Sequence, residues 1–383
     1  MFFGSQPAVG LDIGSSCVKA VQLRRSGANI ELEKFGLAPV QAEGVTGAAA
    51  RQAKIDAIKR ALSNAQITAR QAVTGVNGES IIVRYLQLPE MPEDELRSAL
   101  RFEAEEYIPY NLEDCYLDSD VLGKSADDTG ASKVDVLLVS TRKDLIHEHA
   151  EMVRAAGIQP AMVDLDSFAF FNCFELNYQP TPTETVALVN IGALVTNINV
   201  YGQGTTRFSR DIGVAGGAIT AAIRNKLSID PAQAEELKMR EGLPESYEKT
   251  PTTAAPGTLL DTIRGTVERI TGQEVSDDSP EAVASRAARE TMAGLATEIH
   301  RSIQFYENHP RSKPVERVII GGGTARMRNI DKFLESELKL PVEILDPLRR
   351  ISPHGRTLDT AALSEQKTIL GVGIGLALRK LGD

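Results

Sequence analysis

The feature that most limits what this chain can fold into occurs twice. Near the N-terminus an apolar strand over 8–14 runs into Gly14-Ser15-Ser16 and resumes as an alternating strand over 17–23. A third strand over 30–35 follows Ser26-Gly27. The same three-strand pattern returns at 185–190, 195–201 and 205–210, with Gly192-Ala193 at the first turn where the first copy has Gly14-Ser15. The copies share a pattern more than they share residues, as a duplicated half-domain would. At 383 residues the chain is too long for one ordinary hydrophobic core, so two or three domains are expected.

Within the first half, 48–64 has helical spacing, 71–76 reads as a buried strand, 161–163 as another strand and 167–177 as a helix. Between 71–76 and 161–163 the texture changes. A strand over 81–88 stops at Pro89-Glu90-Met91-Pro92, and an acidic helix over 93–107 follows, with Leu96, Leu100 and Phe102 assigned to its inner side. Strands over 115–122 and 134–140 flank a polar loop at 124–132. A helix over 142–156 then ends at Gly157, which suits the position after a helix end. This is a β-α-β-β-α unit set into the first half. After the second meander come helices at 219–227, 231–242, 258–270 and 281–308, with a Thr/Pro/Glu-rich, flexible excursion at 244–256. A strand over 315–320 enters Gly321-Gly322-Gly323-Thr324, followed by a helix over 330–338, a short strand at 342–344 and a small-residue helix over 368–381.

Composition narrows the function. Lys+Arg 42 against Asp+Glu 52 gives a net charge of −10, which leaves no basic surface for nucleic acid or anionic lipid. Cys17, Cys115 and Cys173 are far apart, so neither a disulfide framework nor a cysteine zinc site is expected. His147 and His149 lack a third ligand and read as polar helix positions. No G-x-S-x-G, P-loop or G-x-G-x-x-G pattern occurs. The longest apolar run, 369–378, is far below the ~20 residues that span a bilayer. Nothing at Met1-Phe2-Phe3 reads as a signal peptide. Gly371, Gly373 and Gly375 in the last helix favour close packing between halves over a membrane-surface anchor.

The turns suggest chemistry. A hairpin closing on Gly14-Ser15-Ser16 presents backbone N–H groups without Cβ obstruction, which suits a phosphate as well as a plain glycine turn. Asp12, at the strand end, is placed for Mg²⁺, directly or through water, and Lys19 on the next strand for a phosphate. A second such hairpin at 189–193 and a strand running into three glycines at 321–323 allow the backbone to approach a ligand from other sides. The order of the three is far more specific than any one.

In that order the motifs resemble the actin-like ATPase superfamily, which includes actin, Hsp70, sugar kinases and the bacterial division protein FtsA. Gly216-Gly217-Ala218-Ile219-Thr220 and Ala234-Glu235-Glu236-Leu237-Lys238 are similar to segments leading into the helical subdomain of FtsA-like proteins. Within that group, four features resemble the PilM family of type IV pilus assembly proteins. They are 9–23, Leu88-Pro89-Glu90-Met91-Pro92 with Glu105-Glu106-Tyr107-Ile108-Pro109, Asp164-Leu165-Asp166-Ser167-Phe168, and Gly375-Leu376-Ala377-Leu378-Arg379. The resemblance covers nearly the whole chain, apart from a longer stretch near 244–280.

It implies an α/β, actin-like (ribonuclease H-like, duplicated) fold, with two halves around a nucleotide cleft and a smaller subdomain on each. The first core would be 1–78, completed by 158–184 and 367–383, with 79–157 as the inserted interaction subdomain. The second would be 185–225, completed by 312–366, with 226–311 as a helical subdomain carrying a flexible loop near 244–280. For ATP or ADP with Mg²⁺, Gly14, Ser15, Ser16, Lys19, Gly192, Ala193, Gly216 and Gly217 would contact phosphates. Glu235 and Lys238 would approach ribose and adenine, with Gly321, Gly322 and Gly323 beneath the adenosine. Asp12 would manage the metal.

One position departs from the superfamily pattern: Asn190 stands where an aspartate is expected at the metal. A carboxamide cannot act as an anionic base, so tight nucleotide binding with slow or absent hydrolysis is expected. Asp166 is the candidate water-orienting acid, although Asp164 and Asp166 also read as caps of the following helix. By the same resemblance, the protein is a cytoplasmic, ATP-binding scaffold of the pilus machine, peripheral at the inner membrane. A groove beside the inserted unit would take the cytoplasmic tail of PilN. Other inner-membrane assembly and motor proteins are expected partners, with membrane contact only through partners. The alternatives are a sugar or acetate kinase and an FtsA-like filament protein.

Overall fold

The computed structural model describes residues 7–42, 44–126, 130–244, 279–354 and 358–381. The expected helix at 258–270, and nearly all of the expected flexible stretch at 244–280, lie outside the described residues.

The first meander forms as the alternation predicts. Strands β1 (Ala8–Ile13), β2 (Cys17–Ser26) and β3 (Asn29–Pro39) pair antiparallel, with Asp12 opposite Lys19 and Ile13 opposite Val18. Helix α1 (Gly47–Asn64) leads to β4 (Gln71–Val76), which runs parallel to β1. The inserted unit comprises β5 (Ile82–Pro89), α2 (Glu93–Tyr107), β6 (Cys115–Ala126), β7 (Ser132–Arg142) and α3 (Lys143–Ala155). Its antiparallel sheet has the order β5-β7-β6. The chain then returns through β8 (Gln159–Leu165), parallel to β4, into α4 (Asp166–Tyr178).

The second meander repeats the first. Strands β9 (Val186–Ile191), β10 (Thr196–Gly202) and β11 (Thr205–Ile212) pair antiparallel, with Asn190 opposite Asn197. Helices α5 (Gly216–Leu227), α6 (Pro231–Glu241) and α7 (Pro280–Glu307) follow, then β12 (Arg317–Gly321), α8 (Ile330–Leu338) and β13 (Val342–Ile344). The second sheet has the order β11-β10-β9-β12-β13. Two elements escape the sequence patterns: β14 (Ile351–Pro353) and α9 (Thr360–Gln366), the latter capped by Asp359. The chain closes with α10 (Gly371–Leu381).

Two expectations are corrected. Residues 351–353, placed with the second half, pair instead with β3, so the first sheet runs β14-β3-β2-β1-β4-β8. Three residues are too few to carry a readable period, and burial of Ile351 in the core shared with Leu32 fixes them there. Phe102 is 75% exposed rather than inward. On α2 the buried stripe is Leu96, Leu100 and Ala104, spaced by four, and a residue two away from Leu100 points elsewhere.

Three cores position the site. One face of the first sheet, with Val9, Leu11 and Val18, packs on Ile55 and Ile58 of α1 and Val153 of α3. Its other face meets α4 and α10 in a cluster that also holds Leu188 and Ile319 of the second sheet, so a single core joins the halves. The far face of the second sheet packs Ile198 and Val200 against Ile219, Met292 and Phe333. Every residue from Gly371 to Ala377 is buried, and a Cβ on Gly375 would coincide with the carbonyl oxygen of Ala169 on α4. The small residues of α10 therefore serve close packing against α4 and β1, within the first half. Among the described residues no helix is long and apolar enough to cross a membrane.

Candidate functional site

Both glycine hairpins line one cavity of about 770 Å³ between the halves. Their turns have the same geometry. A Cβ on Gly14 would lie 2.8 Å from the carbonyl oxygen of Cys17, and one on Gly192 would lie 2.7 Å from that of Val195. In the first hairpin, strand register sets Asp12 against Lys19 in an ion pair of 3.0 Å, with Asp12 only 4% exposed. Burial opposes the Lys19 charge, but the Asp12 carboxylate outweighs it and the lysine pKa is raised.

The same two register positions in the second hairpin hold a neutral pair. Asn190 donates Nδ2 to Asn197 Oδ1 at 2.8 Å, and Asn197 donates Nδ2 to Asp211 Oδ1 at 2.7 Å. The other Asp211 oxygen accepts the backbone N–H of Gly78 at 2.7 Å. Burial pushes the Asp211 pKa up, against these two hydrogen bonds. Asp211 was missed in the sequence, although its place opposite Asn197 at the end of an alternating strand was a usable signal.

Asp166 opens α4 and is buried in the cavity wall. Its Oδ2 accepts from Asn77 Nδ2, while its buried Oδ1 has no hydrogen-bond partner. Burial, reinforced by the nearby Asp12 charge, pushes its pKa up to about 7, against the Asn77 bond and Lys19. The helix-capping expectation is corrected. No side chain caps α4; Asp164 instead accepts the Leu165 N–H at 2.8 Å and pairs with Arg379 at 3.0 Å.

Most of the remaining expected positions meet at this cavity. Ser15, Ser16, Ala193, Gly217, Gly322 and Gly323 line it, and so do Glu235 and Lys238. Lys238 is 4% exposed and donates to Glu235 at 2.6 Å and Thr220 at 3.1 Å. Burial lowers its pKa while Glu235 opposes the shift. Gly322, at φ +88°, could not carry a side chain, since a Cβ would lie 2.5 Å from the Ile191 carbonyl oxygen.

Gly216 and Gly321 fall behind the lining. Gly321 is buried with its α-carbon against Phe170, so it spaces β12 from α4 rather than facing the cavity. The N–H of Gly216 donates to Gly192 O at 3.0 Å and that of Gly217 to Ala193 O at 2.7 Å. These amides fasten the hairpin to α5 and are not spare donors for a phosphate. Lys54, Arg326 and Thr220 also line the cavity and were not singled out from the sequence. Arg326 sits three residues past Gly323, in the turn that the glycines open.

A second groove of about 540 Å³ lies between the inserted unit and α4. Leu137, Phe168 and Phe171 form its apolar part, with Asp118, Asp120 and Asp164 among its polar residues.

Residues 10–256 and 273–381 match the family described as Type IV pilus assembly protein PilM. Over 360 residues the chain is 23% identical to cell division protein FtsA of Pseudomonas aeruginosa, covering 88% of this chain and 82% of that one. The solved PilM-PilN type IV pilus biogenesis complex superposes with a TM-score of 0.76 at 24% identity, covering 98% of both chains. Ethanolamine utilization protein EutJ of Carboxydothermus hydrogenoformans follows with a TM-score of 0.51 at 14% identity, covering 97% and 89%. The fold is accordingly the actin-like one, with two α/β halves around a cleft.

Proposed function

The chain belongs to the type IV pilus assembly protein PilM family, and from that premise we propose that it is an ATP-binding scaffold of the pilus assembly machine that couples nucleotide state to partner contacts. The observation that carries the nucleotide part is the convergence of both glycine hairpins, the Asp12–Lys19 pair and the Gly322-Gly323 turn on one cavity.

A Mg-nucleotide would bring to this cavity a polyphosphate with a hard cation to be balanced. The residues present suit it. The glycines of the two turns put no side chain between the strand ends and the cavity, and Lys19 is held charged beside the first of them. Asp12 supplies one oxygen for a cation. Among the described residues no cluster of three or more His, Cys, Asp or Glu side chains forms a protein metal site, so further ligands would be water and phosphate oxygens. Glu235 and Lys238, which line the same cavity, would approach ribose and adenine. Asn190 donates to Asn197 and offers no anionic base. Asp166 holds its proton in part at neutral pH and lacks a partner at Oδ1. Hydrolysis is therefore slow or absent. A small-molecule kinase would need an anionic base at the acceptor hydroxyl, and Asn190 does not provide one.

Coupling has a physical route. Asn77 and Gly78 carry the chain from β4 into the inserted unit. Asn77 donates to Asp166 and Gly78 donates to Asp211, so the cleft grips this connection from both halves. A ligand acting on Asp166 or on the Asn190–Asn197–Asp211 chain biases the set of the inserted unit, and with it the 540 Å³ groove. The cytoplasmic tail of PilN suits that groove: Leu137, Phe168 and Phe171 would receive apolar side chains, and Asp118 and Asp120 basic ones. Through that tail the protein would sit on the cytoplasmic side of the inner membrane, beside the other assembly and motor proteins.

The test is thermal unfolding with and without Mg-ATP, for the native chain and Asp12→Ala. A ligand at 100 times its Kd adds about 2.7 kcal/mol. A shift present in the native chain and absent in the variant is expected. No shift in the native chain would remove the nucleotide part of the proposal.

A further inference from the structure

Next to the PilN-type groove, with Leu122 lining both, a cavity of about 900 Å³ is walled by β5 and β7, by β11 of the second half, and by the end of α7 with the turn after it. In a chain of net charge −10 its lining is unexpectedly cationic. It holds Arg84, Arg207, Arg210, Arg301 and Arg311, with Asp135 as the one carboxylate. Asp135 is already engaged by Arg207 at 3.0 Å, Gln87 at 3.2 Å and Ser125 at 2.9 Å.

Three further observations point to a ligand. The Arg207 Nε is buried without a hydrogen-bond partner, a cost that a bound acceptor would relieve. Arg210 and Arg301 share one partly exposed carboxylate, Glu298, at 3.5 Å and 2.6 Å, a surface arrangement that an incoming anion readily displaces. Aromatic rings stand beside the guanidinium groups: Arg84 lies 5.8 Å over the Tyr107 ring, and Phe305, 58% exposed, stacks edge-on with His309 at 4.8 Å. Burial also pushes the Tyr85 phenol up, against the nearby Arg207 charge, so its O–H stays a neutral donor.

We infer that this cavity is a second ligand site, distinct from the cleft, for a phosphate-bearing aromatic molecule of the nucleotide class. Guanidinium forks match phosphate oxygens two at a time, and exposed ring faces accept a base by stacking. The size lies within the range of small-molecule sites, ~300–1,000 Å³. An acidic peptide would use the charges but not the rings, so a nucleotide accounts for more of the lining. Because the walls come from the inserted unit and from the second half, an occupant would tie the two together, and would act on the same unit that the cleft grips through Asn77 and Gly78.

The experiment is equilibrium dialysis of the full chain against labelled ATP, ADP, AMP and GMP, with stoichiometry read for three proteins. The native chain should take up two equivalents of at least one of these. Arg84→Ala/Arg301→Ala, whose side chains are exposed and whose fold is checked by thermal unfolding, should keep the cleft equivalent. Its other equivalent should weaken on the order of 10–100-fold through loss of charge-assisted contacts. Asp12→Ala should lose the complementary equivalent and keep this one. A single equivalent in the native chain, lost in Asp12→Ala and untouched by the arginine changes, overturns the second site while sparing the cleft. Retention of one Arg84/Arg301-dependent equivalent with none at the cleft would do the reverse. Displacement of the second equivalent by a poly-Glu peptide at lower concentration than by any nucleotide would overturn the ligand class.

Discussion

Replacing Asp166 with Asn tests the electrostatics of the cleft directly. The carboxyl is 5% exposed, and its pKa is pushed from 3.8 up to about 7 by burial and by Asp12. A carboxyl that binds its proton more tightly folded than unfolded contributes stability that is full below the unfolded value and is lost as pH rises through the folded one. The window is therefore about pH 4 to 8. The loss cannot exceed about 1.4 kcal/mol per pH unit, or about 4 kcal/mol in all. Asp164 and Asp211 are shifted the same way, also by burial. His149 acts oppositely: burial and Lys54 push it down to about 4, so its contribution fades as pH falls from 6.5. Subtracting the curve of Asp166→Asn from that of the native chain cancels these shared terms. Asn keeps an oxygen for the Asn77 bond and has no proton to lose. Urea unfolding at half-unit steps from about pH 4 to 8.5 should show the two proteins nearly equal at the acid end. The variant should then be more stable by about 2–4 kcal/mol at pH 8. Parallel curves would refute the placement of a strained carboxylate at this point.

Other outcomes follow from the same geometry. Gly375→Ala, with its Cβ on the Ala169 carbonyl, should cost more than about 3 kcal/mol or prevent folding, whereas Gly294→Ala, exposed in α7 with open space around it, should stabilise by about 1 kcal/mol. Melting curves of the two variants check the contrast, and equal effects would sink it. Asp211→Ala releases the Gly78 N–H and Asn197, so the affinity of a PilN tail peptide, followed by fluorescence anisotropy, should lose its dependence on Mg-ATP while the thermal shift with Mg-ATP persists. Unchanged dependence would disconnect the hinge from the cleft.

The duplicated framework was legible because glycine turns and period-two alternation are local signals, and both hairpins formed where those signals lay. The inserted unit was legible for the same reason, through the proline break at 89–92 and the helix stop at Gly157. What stayed hidden depends on which neighbours the fold supplies. Ile351-Ser352-Pro353 has no period, and only the edge of β3 makes it a strand. The amides of Gly216 and Gly217 look free in sequence and are consumed by carbonyls 24 residues upstream. Gly321 and Gly322 are adjacent, yet one faces Phe170 and the other the Ile191 carbonyl, a distinction set by the packing of β12 between β9 and α4. Phe102 was the avoidable error, since spacing by four already separated it from Leu96, Leu100 and Ala104.

The difference between the two hairpins bears on function more than their likeness does. At matching register positions, one carries Asp12 and Lys19 and the other Asn190 and Asn197. The charged pair can balance a metal and a phosphate but is closed on itself at 3.0 Å. The neutral pair brings no negative charge to a cation and cannot deprotonate water, yet a carboxamide both donates and accepts, so it passes a hydrogen-bond chain onward through Asp211 to the Gly78 backbone. An aspartate at 190 would add a carboxylate to a cavity wall that already holds Asp12, Asp166 and Glu235, and it would have no hydrogen to donate to Asn197. With Asn190 the second half keeps an unbroken hydrogen-bond chain from the cleft to the Gly78 backbone. With aspartate it would sit better beside a metal and attacking water, at the expense of that chain. On the proposed function, the chemistry of these two side chains is what would separate a hydrolase from a scaffold that senses nucleotide.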